Sequence, residues 1–264
     1  MTMKFCSLAS GSSGNCYLIK SEETSILVDA GISGKRIMEG LEETGTPPDS
    51  ISAVLVTHEH IDHVKSLPVL TKRIPDLMVY ANEKTWDNIE RPVAHERRKF
   101  FETGETFDLG GFNIRSFSVP HDAADPVGFS ISSGDRKISI VTDAGWITDE
   151  IYREINDADL LLIEANHERE MLLMGRYPYQ LKQRILGDEG HLSNVSAGEA
   201  LCRIVSNREK RRQVLLGHLS AENNDPNVAL LTVENTLMEQ EIYMGGDLKI
   251  SVASRHERGP LFEV

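Results

Sequence analysis

Cysteine is nearly absent: Cys6, Cys16 and Cys202 are the only three in 264 residues. Their number is odd, none forms a CxxC pair, and all lie in apolar or strand-like surroundings. A disulfide framework is therefore excluded, and reduced thiols in a cytoplasmic protein are expected. No apolar run approaches the roughly 18 residues that cross a bilayer, so no membrane partner is expected. The opening "MTMKFCSLASGSSGNC" has no continuous apolar stretch ahead of its Gly/Ser turn, so no secretory signal is expected either. Basic residues are in deficit: 28 Lys and Arg face 41 Asp and Glu, a formal net charge of −13. That balance argues against nonspecific adhesion to nucleic acid, which needs a positive surface. It leaves room for a local basic groove, or for a metal that supplies positive charge itself. Linkers, internal repeats and low-complexity tracts are also missing, and one domain over residues 1–264 is expected.

What is present is ordinary globular material, 40% hydrophobic and 26% charged. "MKFCSLA", "NCYLIKS" and "TSILVDAG" read as strands separated by turn residues, and "SGKRIMEGLEETG" as a helix stopped at Gly45. "SISAVLVT" is a buried strand, followed by a helix over about 64–75, the strand "LMVYA" and a helix from Asn82. "TFDLGGFNIRSFSVPH" and "PVGFSISSGDRKISIVTDAG" read as hairpins, the second turning at Gly134-Asp135. "DADLLLIEAN", the helix "NVSAGEALCRIVSN" and the strand "RRQVLLGHLS" come next. A helix with Asp225 as N-cap and Pro226 at its first position follows, and "DLKISVAS" closes the chain as a strand. Clusters of strands alternating with helices predict an α/β (α+β) fold, a four-layer αββα sandwich of two mixed β-sheets.

"VTHEHIDHVKS" places His58, His60, Asp62 and His63 within six residues at the end of an apolar strand. On an extended end, His58 and His60 point to the same side, and the turn that follows lets Asp62 and His63 face a neighbouring point. A histidine-rich polar loop would produce the same letters by chance. Three further candidates speak against chance, because each lies just past an apolar run: His121 after "FNIRSFSVP", Asp143 after "RKISIVT" and His218 after "RRQVLLG". Several strands ending at one edge, each offering an imidazole or carboxylate, make a site for two divalent metals.

The series "ILVDAG", "VTHEHIDH", "PHDA", "VTDAG" and "LGHLS" resembles the metallo-β-lactamase superfamily over residues 3 to 251. The resemblance implies that His58, His60 and His121 hold one metal. Asp62, His63 and His218 hold the other, Asp143 bridges, and Asp29 supports the ligands from behind. Zinc or manganese is the expected metal pair, with iron also suited to the donors. A finer resemblance, carried by "CSLASGSSGNCYLI", "HDAADPVGF", "EANHEREML" and "GHLSN", is to the small YycJ/WalJ-like group. It implies a metallo-hydrolase, with a 5′-to-3′ DNA exonuclease activity and DNA as the partner.

The fold does not choose the substrate. "GHLSNVSAGEAL" puts His191 just ahead of a helix with Ser193 or Asn194 as N-cap, and helix starts attract phosphate. Asp62 and His191 are the candidate catalytic residues, His191 as proton donor to the leaving oxygen. Its position is similar to that of the extra histidine in tRNA 3′-processing nucleases. The stretch from Asp143 to His218 is too short for the inserted domain of β-CASP nucleases, and no helical glutathione-binding domain follows the last motif, as a glyoxalase II would have. Ser12, Ser13 and Asn15 in the "SGSSGN" turn, with Ser193 and Asn194, are candidate substrate contacts. "ERRKF" (96–100), "EKRRQ" (209–213), Lys182 and Arg184 are candidate contacts to a DNA backbone. His167 is placed near the site rim, and His95 and His256 on the surface. The competing reading is a small-molecule hydrolase of a thioester, lactone or cyclic phosphodiester, which the acidic balance favours.

Overall fold

The structure is a computed structural model that describes residues 2–205, 212–245 and 248–264. The first half lays down β1 (Lys4–Ala9), β2 (Cys16–Lys20), β3 (Ser25–Val28), helix α1 (Gly34–Glu43) and β4 (Ile51–Leu55). Helices α2 (Ile61–Val64) and α3 (Leu67–Arg73), β5 (Met78–Ala81), α4 (Glu83–Asn88) and β6 (Arg98–Phe100) complete it. The second half runs β7 (Thr106–Leu109), β8 (Phe112–Ser118), β9 (Val127–Ser133), β10 (Arg136–Val141), α5 (Asp149–Ile155) and β11 (Leu160–Glu164). It ends with α6 (Arg169–Met174), α7 (Tyr179–Leu186), α8 (Asn194–Val205), β12 (Arg212–Gly217), α9 (Pro226–Met238), β13 (Leu248–Val252) and β14 (Phe262–Glu263).

The strands form two seven-stranded mixed sheets, β14-β1-β2-β3-β4-β5-β6 from the first half with the last strand added, and β13-β12-β11-β10-β9-β8-β7 from the second. Both begin as antiparallel meanders and continue as parallel strands, from β3 to β6 and from β10 to β13. Period-2 alternation sorts the side chains. In β11, Leu160 and Leu162 join Phe5, Tyr17, Ile26, Phe129 and Ile138 between the sheets, while Leu161 and Ile163 turn outward onto α5, α8 and α9. On the other flank Leu18, Leu27 and Val54 meet Ile37 and Leu41 of α1 and Leu70 of α3. Three apolar layers separate four structural ones, the αββα sandwich that the alternation predicts.

The expected helix over about 64–75 is α3 alone, Leu67–Arg73, set off from the short α2 (Ile61–Val64) before it. Ser66 leaves the helical path to bond the loop after β3, its N–H to Ala30 O and its hydroxyl to Ile32 O, and Pro68 starts the next helix. The chain also does not close at β13. It crosses to the first sheet, where Phe262 and Glu263 pair with Phe5 and Lys4 on the free edge of β1. Two residues carry too little periodicity to read as a strand; the open edge makes them one. The short helices α5, α6 and α7 and the edge strand β6 went unread for the same reason.

Candidate metal centre

Strand ends deliver the groups, and backbone conformation aims them. Asp29, Asp143 and His218, each just past a strand, have φ of 61°, 58° and 53°. Left-handed backbone is uncommon outside glycine and costs about 1–3 kcal/mol at many residues. Here it turns three side chains back over their sheet edges. Gly31 is needed for another reason: a Cβ there would stand 1.6 Å from Asp62 O and 2.8 Å from His63 N. The bonds Asn15 N–H to Asp62 O, Gly31 N–H to Asn15 O and Ala30 N–H to His63 O lace these segments together at 2.7–2.9 Å. Gly31→Ala is therefore expected to push Asp62 and His63 out of place. Stability should fall by about 1–3 kcal/mol or more, with weakened metal uptake. Thermal unfolding and metal titration read this, and a variant matching the parent in both would refute the close-approach argument.

His58, His60 and His121 ring one point, with centroids 4.6, 5.2 and 5.2 Å apart. His58 Nε2 faces His60 Nδ1 at 3.1 Å. Around a second point stand Asp62, His63 and His218, with Asp62 Oδ2 3.5 Å from His63 Nε2 and 3.4 Å from His218 Nε2. Asp143 lies between the sets: its Oδ2 is 3.3 Å from His63 Nε2, and its Oδ1 is 3.4 Å from His218 Nε2 and 3.8 Å from His121 Nε2. The ligand atoms of each triad fall within 4.8 Å of one another.

The far ring nitrogens of four of these histidines are held. His58 Nδ1 meets Thr57 Oγ1 at 3.0 Å, His63 Nδ1 meets Asp29 Oδ2 at 2.7 Å, His121 Nδ1 donates to Gly190 O at 3.1 Å, and His218 Nδ1 donates to Glu164 Oε1 at 2.8 Å. Such partners fix the tautomer and leave each Nε2 as a lone pair aimed inward. Asp143 Oδ2 is buried with no hydrogen-bond partner, an oxygen that a cation would satisfy. The donor set is imidazole and carboxylate throughout, so the residues fit divalent metal ions.

The electrostatics agree. Burial opposes ionisation of Asp143, yet His218 and His63 hold it well below the usual carboxylate range; His63 and His218 do the same for Asp62. Against its own burial, His63 is raised well above the ordinary imidazole value by Asp29, Asp143 and Asp62. His218 rises likewise to about 10, chiefly through Asp143. His58, by contrast, is driven down by burial and by His63. Ionised carboxylates surrounded by imidazoles are the arrangement into which bound cations fit by displacing protons.

One fully buried acid of the centre is one that the sequence did not flag. Glu164 is fully buried, and its Oε1 accepts from both His191 Nδ1 and His218 Nδ1 at 2.8 Å. Its Oε2 accepts from Ala144 N and Leu192 N at 2.9 and 3.1 Å. Burial opposes its ionisation, but His191 and His218 bring its pKa down to about 2. Glu164 ends an apolar strand as Asp143 does, and that was the available signal. His191, Asp143, His218 and Glu164 could also be grouped as metal donors. However, Glu164 Oε1 already takes two N–H bonds, which makes the group a hydrogen-bonded knot.

His60, Asp62 and His191 are half-buried and mark the open side. Ser12 and Ser13 are exposed on the 10–15 turn. Asn15 faces inward instead: it is fully buried, its Oδ1 takes Gly11 N–H and Tyr17 O–H, and its Nδ2 lies 3.2 Å from His63 Nε2. Asn194 is fully buried too, its amide paired reciprocally with Asn224 and bonded to Glu168. Ser193 caps α8 from within, accepting from Ser196 N at 3.1 Å, while Leu192 N goes to Glu164 and Asn194 N to His167 O. The helix start thus spends these amides on the protein.

His167 is not at the rim; it is 1% exposed, with neither ring nitrogen hydrogen-bonded, and burial pushes its pKa down to about 4. His95 and His256 are exposed. In 96–100, Arg97 pairs with Asp76 and Arg98 covers the Trp86 ring. Lys182 donates to Leu173 O and Gly175 O, and Arg184 to Asp122. Residues 209–211 lie outside the described residues; Arg212 is buried and donates to Asn156 O.

The Beta-lactamase superfamily domain model matches residues 24–218, which takes in every one of these strand-end ligands. The chain belongs to the metallo-β-lactamase superfamily. Within that superfamily it is close to the WalJ and YycJ proteins. It is 40% identical to "Exodeoxyribonuclease WalJ" of Streptococcus pneumoniae (strain D39), over 99% of this chain and 98% of that one. It is 38% identical to "Exodeoxyribonuclease YycJ" of Bacillus anthracis, over 95% of each. Among solved structures, the metallo-β-lactamase-fold protein YhfI of Bacillus subtilis superposes with a TM-score of 0.74 at 17% identity, covering both chains completely. That likeness speaks for the fold alone. Among the described residues no helix is long and apolar enough to cross a membrane.

Proposed function

We propose that this metallo-β-lactamase-fold protein is a metal-dependent exodeoxyribonuclease that removes nucleotides from DNA in the 5′-to-3′ direction. The observation that carries the substrate is the 40% identity to WalJ along 99% of the chain.

The chain acts as one domain and holds two divalent metals, zinc or manganese, with iron also suited. His58, His60 and His121 would hold the first, Asp62, His63 and His218 the second, and Asp143 would serve both. When bound, the metals supply activated water at neutral pH and Lewis-acid stabilisation of phosphate oxygens. Asp62 is half-buried on the open side, where it would act on substrate together with the metal it helps to hold. His191 keeps its Nδ1 proton on Glu164, so its Nε2 is the atom that gives a proton to the leaving oxygen. Free, mostly buried thiols support a reducing, cytoplasmic setting.

The test is a panel of end-labelled duplex and single-stranded DNA, RNA and model esters, with Mn²⁺ or Zn²⁺ added. Stepwise shortening of DNA from its 5′ end is expected. Ester or thioester hydrolysis with untouched nucleic acid would establish the small-molecule reading that the net charge of −13 favours.

A further inference from the structure

A cation sits beside the candidate metal centre, on the carbonyl next to His218, with no carboxylate partner among the described residues. Arg255 follows β13 on a segment pinned by Arg36, whose Nη2 donates to Arg255 O and His256 O at 3.2 and 3.0 Å. The Arg255 side chain reaches back over the 10–15 turn and gives one N–H to Leu219 O, the carbonyl next to His218. Ser12 Oγ approaches the same carbonyl at 3.5 Å. The fit leaves no spare room: a Cβ on Gly11 would lie 3.2 Å from Leu219 O and 3.4 Å from Arg255 Cζ. The turn beneath is braced at two points of the Asp62, His63 and His218 set, since Ser10 Oγ accepts from His218 N at 2.8 Å and Asn15 faces His63.

Several other arginines of this acidic chain have carboxylate partners, among them Arg184 with Asp122, Arg203 with Asp149 and Arg258 with Glu43. Among the described residues none pairs with Arg255. Its guanidinium is half-buried, so burial costs it solvation that no anion restores, with only the Tyr177 phenol acting in its favour. A guanidinium has five N–H donors in a planar fork matched to phosphate, and most of this one's are left over. Beside it are the exposed hydroxyls of Ser12 and Ser13.

We propose that Arg255, with Ser12 and Ser13, clamps the backbone phosphate next to the scissile one on the DNA strand. The inference rests on the DNA reading above and adds a positioning site to it. The net charge of −13 gives such a cation a purpose: against a surface that repels a strand at large, a local guanidinium adds to the attraction that bound metals would supply.

The experiment uses metal-loaded protein and a series of single-stranded oligonucleotides, each with one neutral methylphosphonate linkage. The half-saturating concentration is read from single-turnover cleavage at several salt concentrations. In the parent, one linkage near the cleaved end should raise that concentration about 10-fold, the scale of a charge-assisted hydrogen bond. Arg255→Gln should weaken binding to the unmodified strand by a similar factor and become indifferent to that linkage. Its log-log salt slope should fall by about 0.7, the single-strand value for one phosphate contact. Arg255→Lys, which keeps the charge without the fork, should lie between and covers the case of an unstable glutamine variant. A purely structural role for Arg255 would leave both the slope and the linkage sensitivity at parental values, and that result overturns the clamp alone. Failure of the parent to bind or cleave any oligonucleotide overturns the DNA reading and the clamp together.

Discussion

Asp143→Asn should cost the protein at least one metal and reduce activity on every substrate by about 10³-fold or more. Asparagine has the shape of aspartate and tolerates the left-handed φ of 58°, so the backbone has no reason to move. What changes is charge. Asp143 reaches His63 and His218 of one set at 3.3 and 3.4 Å and His121 of the other at 3.8 Å. Its Oδ2 has no other partner. A neutral amide there removes the anion shared by two cations and aims an N–H₂ at one of them. Elemental analysis after reconstitution should give two equivalents in the parent and one or fewer in the variant. Because metal binds only the folded site, the midpoint of thermal unfolding should also fall in excess metal. Two equivalents with parental activity would show that Asp143 does not bridge. Fewer than two equivalents in the parent would remove the binuclear assignment altogether.

The cluster that the fold assembles was legible because His58, His121, Asp143 and His218 each follow an apolar run, a pattern that needs no long-range information. The sandwich was legible for the same reason: "DLLLIE" and "QVLLG" are too apolar to face water on either side. What escaped depends on partners distant in sequence. Glu164 reads as the last residue of a strand, and its importance appears only when His191 and His218 arrive, 27 and 54 residues on. Asn15 reads as a turn former exposed beside two serines. Only the approach of the 58–63 segment makes it a buried brace for His63. Asn194 reads as an N-cap, yet Asn224 and Glu168 claim its side chain from loops that local pattern cannot place. Arg212 belongs by letters to a basic run and by structure to the interior. Charge and polarity along the chain say which groups exist; burial says which of them substrate can reach.

His191→Ala and Glu164→Gln should fail in different ways, and the difference tests the division between proton donor and support. His191 is the more exposed of the pair, 20% against 0% for Glu164. Its alanine variant should keep the fold and both metals, still bind DNA, and lose about 10²–10⁴-fold in single-turnover rate, the scale of general acid–base help. Glu164→Gln reaches further. Four donors converge on that carboxylate, from His191, His218, Ala144 and Leu192, and an amide can accept at only one of its two heavy atoms. Metal affinity should fall about 10- to 100-fold, because His218 loses the partner that orients it. The pH profile should move as well. Against the cost of burial, Glu164 raises the pKa of His191 above the ordinary imidazole value. An acid must be protonated to act, so the parental rate falls as pH rises through that raised pKa. Without the carboxylate the pKa drops, and the high-pH limb should shift to lower pH in Glu164→Gln and vanish in His191→Ala. If His191→Ala loses metal as Asp143→Asn does, His191 is a ligand and not the proton donor. If it keeps metal, full rate and the high-pH limb, the leaving oxygen takes its proton from elsewhere.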